Sequence, residues 1–333
     1  MPQLHVLSRF GNAYGGTEQG IVELCRALAG RCELTLWSET EPDPRLGLPV
    51  RRVDAARGEI PGGGTLLVHG NYFKPGAWLE DVRVERLILG YNTLLKPELK
   101  HYMIERLRRI GPLEIVYASR LAQRLVGEPG TVLYSRIDLE RFRPVERAAR
   151  RRFTLGRLSR DVLYKHHPED VAIYRHCIDR GAAVRIMGGT CLARALEGLP
   201  GIELSAAGVE PAEAFLASLD CFFYRTAMNW VEAGGRVVTE AMACGLPVVG
   251  HRRHGFGEWI EDGASGFLFD SDAQAREILG RLQADPALRV RVGTAARARM
   301  EALFSASAAQ AYADFFLLNR SPAAGAGDRP GRR

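Results

Sequence analysis

Short apolar runs alternate with segments of helical period along almost the whole chain, and few architectures accept that alternation other than helices laid on parallel sheets. The first run, residues 4–8, leads into a loop bearing Gly11, Gly15 and Gly16, then into a helix that Thr17 is placed to cap, with Ile21, Leu24, Cys25 and Leu28 on one face. Further strands are predicted at residues 33–37, 65–69, 86–89, 114–118 and 131–134, and again at 153–156, 183–187, 202–205, 221–224, 246–250 and 267–269. Between the two series lies a proline-led, arginine-rich run of linker character. The pattern predicts an α/β chain of two Rossmann-like, doubly wound domains facing a cleft. The first covers residues 1–144, a linker 145–152 and the second domain 153–305; a helix over 306–320 recrosses to the first domain, and 321–333 form a disordered tail.

Composition removes several classes. Of 333 residues, 46% are hydrophobic and 25% charged, which excludes wholesale disorder and fibrous repeats. No run approaches the roughly 20 apolar residues of a membrane span, and the N-terminus has the pattern of a strand rather than a secretory signal, so a cytoplasmic protein is expected. Six scattered cysteines without a Cys-x-x-Cys pair are expected to be reduced thiols. The net charge of +6 is carried almost wholly by arginine, the lysines being Lys74, Lys96, Lys100 and Lys165, and it fits an anionic partner. Residues 147–152 lack interleaved aromatics, so nucleic acid is not expected. Residues 96–109 set Lys100, Arg106, Arg108 and Arg109 around an apolar face, which suits either a core-packed helix or peripheral contact with the anionic inner face of a membrane.

The stretch from Glu232 to Val249 carries the chemistry. Two carboxylates, Glu232 and Glu240, bracket Gly234, Gly235 and Arg236 at the start of a helix. The glycines let backbone N–H groups approach a ligand closely, and a helix N-terminus attracts phosphate. Glu240, inside the helix, is within reach of polyol hydroxyls. Asp270-Ser271-Asp272 is expected to be a helix cap, with Ser271 and Gln274 as a capping box, rather than a metal motif. His251, His254 and Glu258 lack a further ligand, so no metal site is expected.

This stretch resembles the Glu-x7-Glu signature of the retaining glycosyltransferases of family 4, which have the GT-B fold, and the following EAMACGLPVV is similar to that family's wording. Other segments agree in chain order: Tyr14-Gly15-Gly16-Thr17-Glu18 resembles the family's N-terminal glycine loop, the LYSRIDLERFRP stretch from Leu133 to Pro144 its domain-closing segment, and GRLS followed by Lys165 its diphosphate clamp. GFGEWIEDGASGFLF, from Gly255 to Phe269, is similar to its late sheet region.

The resemblance implies a nucleotide-sugar donor and a glycan or lipid-linked acceptor, as in bacterial surface polysaccharide assembly, with no metal or other cofactor. Glu232 then contacts donor-sugar hydroxyls and Glu240 the ribose, amides of Gly16, Gly234 and Gly235 and the side chain of Arg236 serve the donor, and the base lies near Gly208 and Val209. Arg157 and Lys165 would stabilise the charge that grows on a departing diphosphate, with Arg160 as the alternative to Lys165. Gly15, His69 and Asn92 are candidates for the acceptor side of the cleft, either His69 or Asn92 facing the donor sugar. Two other readings stay open: a sugar-nucleotide epimerase on the same fold, and a non-catalytic binder of anionic glycan.

Overall fold

The structure, a computed structural model, describes residues 1–94, 99–145 and 152–317. The N-terminal lobe is built on β1 (Gln3–Leu7), β2 (Glu33–Ser38), β3 (Val50–Arg52), β4 (Thr65–His69), β5 (Arg86–Tyr91), β6 (Leu113–Tyr117) and β7 (Thr131–Val132), all parallel in the order β3-β2-β1-β4-β5-β6-β7. Helices α1 (Gly16–Leu28), α2 (Tyr102–Arg108) and α3 (Arg120–Val126) belong to this lobe. The C-terminal lobe repeats the plan with β8 (Thr154–Leu158), β9 (Ala183–Met187), β10 (Ile202–Ser205), β11 (Cys221–Tyr224), β12 (Val248–His251) and β13 (Phe267–Phe269), again parallel, in the order β10-β9-β8-β11-β12-β13. Its helices are α4 (Asp170–Asp179), α5 (Ala212–Ala217), α6 (Arg236–Ala243), α7 (Asp272–Ala284) and α8 (Pro286–Leu303). The expected pair of doubly wound parallel sheets is what forms.

Central strands are buried on both faces: every residue of β5, β8 and β11 is buried, and β5 and β11 are largely apolar, whereas β8 also buries Thr154 and Arg157. The last helix, α9 (Ala306–Leu317), lays Tyr312, Phe315 and Phe316 into the N-terminal core beside Ile21, Leu24 and Leu28 of α1. Arg86 fixes it there, donating from Nη1 to the Phe315 carbonyl at 2.6 Å while its Nε pairs with Glu114 at 2.6 Å. In both sheets the chain reverses direction of winding beside the first strand, at β1/β4 and β8/β11, and a crevice outside the C-terminal ends of such strands is where ligands bind in doubly wound folds.

Several details depart from expectation. Thr17 does not cap α1; Gly15 is the N-cap residue, without a side-chain bond, because Thr17 already lies in the first turn, where its hydroxyl accepts from Asn92 Nδ2 at 3.1 Å. The edge strand β3 has a single apolar residue and no sequence signal, and β7, also at an edge, spans two residues where four are predicted. Ser271 caps α7, receiving Gln274 N–H at 3.3 Å, while the Gln274 side chain returns to Asp270 N–H at 2.9 Å. The linker at 146–151, the end of the last helix and the tail at 318–333, and Lys96 within 95–98 lie outside the described residues. In α2, Met103, Ile104 and Leu107 are core residues, and the basic rim is largely engaged: Lys100 Nζ donates to the Leu125 carbonyl at 2.7 Å and Arg108 pairs with Glu128 at 2.6 Å.

Candidate active site

The lobes enclose a cavity of about 760 Å³ whose wall is shared by the loop after β1 (Gly15, Gly16, Glu18), the ends of β4 and β5 (His69, Asn92), the segment after β8 (Arg160, Tyr164, Lys165) and the approach to α6 (Trp230, Glu232, Gly234, Arg236). Polar groups from five separate chain segments thus converge, as parallel-strand topology dictates.

Glu232 and Lys165 form an ion pair inside this wall, their side chains only 13% and 9% exposed. Tyr224 Oη and Trp230 Nε1 donate to the same Glu232 oxygen at 3.3 and 3.1 Å. Burial alone would push the Glu232 carboxyl up, but Lys165, His254 and the Trp230 N–H together hold it below the ordinary carboxylate range. Burial draws the Lys165 ammonium down, with Arg160 and Arg157 adding to the effect and Glu232 opposing it. Behind the pair, His254 Nδ1 accepts the Glu232 N–H at 3.3 Å, and Gly255 N–H donates to the Glu232 carbonyl at 2.9 Å. His254 therefore braces the glutamate's backbone. No cluster of three or more His, Cys, Asp or Glu suited to a metal occurs among the described residues.

The glycines do different jobs. Gly234 lines the cavity and has space around it, whereas Gly235 caps α6 at φ 77°, with Phe256 packed where a side chain would start. Gly16 opens α1, so the first-turn amides of that helix face the cavity as those of α6 do. At α1 the nearest anion is internal: the Glu18 carboxylate packs against Gly15, and burial raises its pKa against the pull of its own and the Gly11 N–H, Arg160 and Arg9.

The other expected residues divide between the cavity lining and the structure around it. Arg157 is fully buried under the cavity wall, its Nη2 donating to the Lys165 carbonyl, its Nη1 3.5 Å from Asp170 and its guanidinium over the Tyr224 ring. It supports the Lys165 turn from beneath, and the arginine that reaches the cavity is Arg160. Glu240 is buried and paired with Arg236 at 2.7 Å; burial raises its pKa against that partner. Arg236 also donates to the Arg136 carbonyl at 2.7 Å and lies 3.9 Å from Glu23 of α1, so it ties the lobes together. Gly208 and Val209 stand outside the cavity wall, where the Tyr14 ring covers Gly208 and Val209 is exposed. His69 and Asn92 both line the cavity. His69 Nδ1 is buried without a hydrogen-bond partner and burial pulls its pKa to about 4, while the Asn92 amide is already bonded to Thr17. Sequence reasoning missed Tyr164 and Trp230, whose only signal was proximity to the motifs, and gave no role to Glu18 although it ends the N-terminal glycine-loop motif.

The two Rossmann-like lobes meet at a cavity bordered by the first turns of α1 and α6, the kind of place where doubly wound folds bind ligands. Residues 207–299 match the family described as glycosyl transferases group 1. No curated protein matches the chain. Among solved structures, HepE from Anabaena in complex with UDP-glucose superposes with a TM-score of 0.75 at 15% identity, over 95% of this chain and 99% of that one. Sucrose-phosphate synthase from Thermosynechococcus elongatus gives 0.72 at 15% identity, over 95% and 98%. WaaG, a glycosyltransferase involved in lipopolysaccharide biosynthesis, gives 0.67 at 14% identity, over 94% and 99%. At these identities the likeness is one of fold: the chain has the two-lobed GT-B architecture, and the match to glycosyl transferases group 1 falls within its second lobe.

Proposed function

We propose that the chain is a retaining, metal-independent glycosyltransferase of the family 4 type, with Glu232 and Glu240 as its Glu-x7-Glu pair, transferring a sugar from a nucleotide-sugar to a glycan or lipid-linked acceptor in bacterial surface polysaccharide assembly. The Lys165–Glu232 pair in the cavity wall carries the reading. A diphosphate entering beside Lys165 offers the ammonium a better-charged partner, and the exchange frees Glu232 to accept hydrogen bonds from donor-sugar hydroxyls. Arg160, Lys165 and the first-turn amides of α1 and α6 then face the bond that breaks. Fixed positive charge there stabilises the leaving diphosphate more than the intact donor. The departing phosphate takes the acceptor's proton on the face it leaves, so no side-chain nucleophile is assigned. Closure of the lobes excludes water that would otherwise hydrolyse the donor.

UDP is the first nucleotide to test, because HepE was solved with UDP and with UDP-glucose. The assay is a thermal-shift panel of UDP, GDP, ADP and dTDP, followed by turnover of the matching nucleotide-sugar with and without sugar acceptors. One diphosphate is expected to raise the melting temperature, and donor consumption to require an acceptor. Donor isomerised without acceptor would favour the epimerase, and steeply salt-dependent binding indifferent to Glu240→Ala would favour the glycan binder.

No described helix is long and apolar enough to cross a membrane. The proposal places the enzyme in the cytoplasm, meeting anionic lipid at the exposed Arg109 at the end of α2. Co-sedimentation with phosphatidylglycerol vesicles, lost on Arg109→Glu, tests this.

A further inference from the structure

Of the four cations that line the cavity, Arg9, Arg160, Lys165 and Arg236, the pair Arg160 and Lys165 is linked through two aromatic rings. The Arg160 guanidinium lies 5.5 Å from the Tyr164 ring centre, the Tyr164 and Trp230 centroids are 4.6 Å apart at 39°, and Lys165 Nζ lies 5.1 Å from the Trp230 ring centre. All four side chains line the cavity. The far end of the row is fastened by Trp230 Nε1 donating to Glu232, which in turn pairs with Lys165. The backbone is fastened too: Ala227 N–H donates to the Tyr164 carbonyl at 3.2 Å, joining the segment after β8 to the segment before α6.

We propose that Arg160, Tyr164, Trp230 and Lys165 form one stack, a ring pair with a cation at each end, whose rings set the spacing of Arg160 and Lys165, making Tyr164 and Trp230 positioning residues for a nucleoside diphosphate. A lysine side chain has four rotatable bonds that a single ion pair does not fix, so a ring face that attracts the ammonium narrows its positions before ligand arrives. The same face favours the charged form of a buried ammonium. Lys165 is also faced by Glu232, which favours its charge, and by Arg157, Arg160, His166 and His254. Removing the Trp230 ring leaves the cationic neighbours less opposed, and Lys165 loses its proton at lower pH.

The inference rests on the donor reading and is tested by calorimetric titration of UDP, GDP, ADP and dTDP into wild type and variants from pH 6 to pH 10. Trp230→Leu is expected to lose about tenfold in affinity for the bound diphosphate at pH 9 and distinctly less at pH 6, with the alkaline limb moved to lower pH. Trp230→Phe, which keeps a ring face and loses only the indole N–H, is expected to restore most of the affinity and the position of the limb. Tyr164→Leu acts on Arg160 and leaves Lys165 its own ring, so its loss is expected to be the same at every pH. A Trp230→Leu curve parallel to wild type, or a Trp230→Phe curve no better than Trp230→Leu, overturns the stack while leaving the donor reading intact. A wild type that binds none of the four diphosphates overturns both.

Discussion

The ring of Tyr14, in the N-terminal glycine loop, occupies the space where a side chain on Gly208 of the other lobe would begin, and its hydroxyl donates to the Gly208 carbonyl at 3.4 Å. The ring is held in that place. Arg45 stacks on it at 4.8 Å and is itself paired with Asp43 at 2.6 Å, whose Oδ2 accepts the Ala13 N–H at 3.0 Å. Gly208 has φ 76°, so two separate demands, steric and conformational, require glycine there. Gly208→Ala is expected to cost about 2 kcal/mol in urea unfolding, partly backbone strain and partly displacement of the ring. Tyr14→Ala alone should cost less, since the ring is 42% exposed. The double variant should then be distinctly more stable than the sum of the two predicts, because only the strain remains. Strict additivity would mean that the lobes do not meet at this point in solution.

Glu232 and Lys165 neutralise each other in a largely dry wall, and breaking such a pair leaves a buried charge without a partner. Glu232→Gln and Lys165→Met are each expected to lower stability by about 3 kcal/mol, and the double variant by markedly less than twice that. Both single variants should lose donor turnover, since one removes the sugar-facing carboxylate and the other the diphosphate-facing cation. Urea unfolding beside a donor-consumption assay separates the effects; the double variant should regain stability but not activity.

Most strand positions in both lobes are visible in the sequence because doubly buried parallel strands are rich in apolar residues, and the glycine-and-glutamate stretch before α6 is visible because helix-terminal anion sites need glycine. What the sequence hides is direction. Arg157 and Arg160 are three residues apart beside the same lysine, and nothing in their spacing says that β8, buried at every position, carries Arg157 inward while Arg160 lies beyond the strand's end, at the cavity. Glu240 has the right number of residues from Glu232, but it also stands four after Arg236 on one helix, and that local pairing claims its carboxylate. Tyr14 and Gly208 meet across 194 residues, a relation no local pattern encodes.

The lobes are also joined by Glu258, whose carboxylate accepts the N–H groups of Arg120 at 3.0 Å and Leu121 at 2.6 Å, the first two residues of α3, and the Tyr134 hydroxyl at 3.3 Å. A C-terminal-lobe anion thus satisfies the open amides of an N-terminal-lobe helix, alongside Ser119, which caps Ala122 N–H at 3.0 Å. Glu258→Ala is expected to cost about 1–2 kcal/mol and to speed amide exchange at Arg120 and Leu121 well above the change elsewhere. Glu258→Gln keeps one acceptor without the charge and should fall between. Uniform exchange across α3 in Glu258→Ala would show that the carboxylate does not hold these amides.

Acid should unfold the protein through its buried histidines. Burial pulls His166 and His254 to about 3 and His69 to about 4, all below the ordinary value of 6.5. Between those values the unfolded chain binds protons that the folded protein excludes, so stability is full above pH 6.5 and falls as pH drops toward 3. Each such histidine contributes a slope of up to about 1.4 kcal/mol per pH unit within its window. Melting temperature measured from pH 7.5 to pH 4.5 is therefore expected to fall steeply below pH 6.5. His69→Gln, which removes one titrating group whose Nδ1 has no partner to lose, should flatten the fall. An unchanged slope in that variant would mean that His69 takes up a proton in the folded protein as readily as in the unfolded chain.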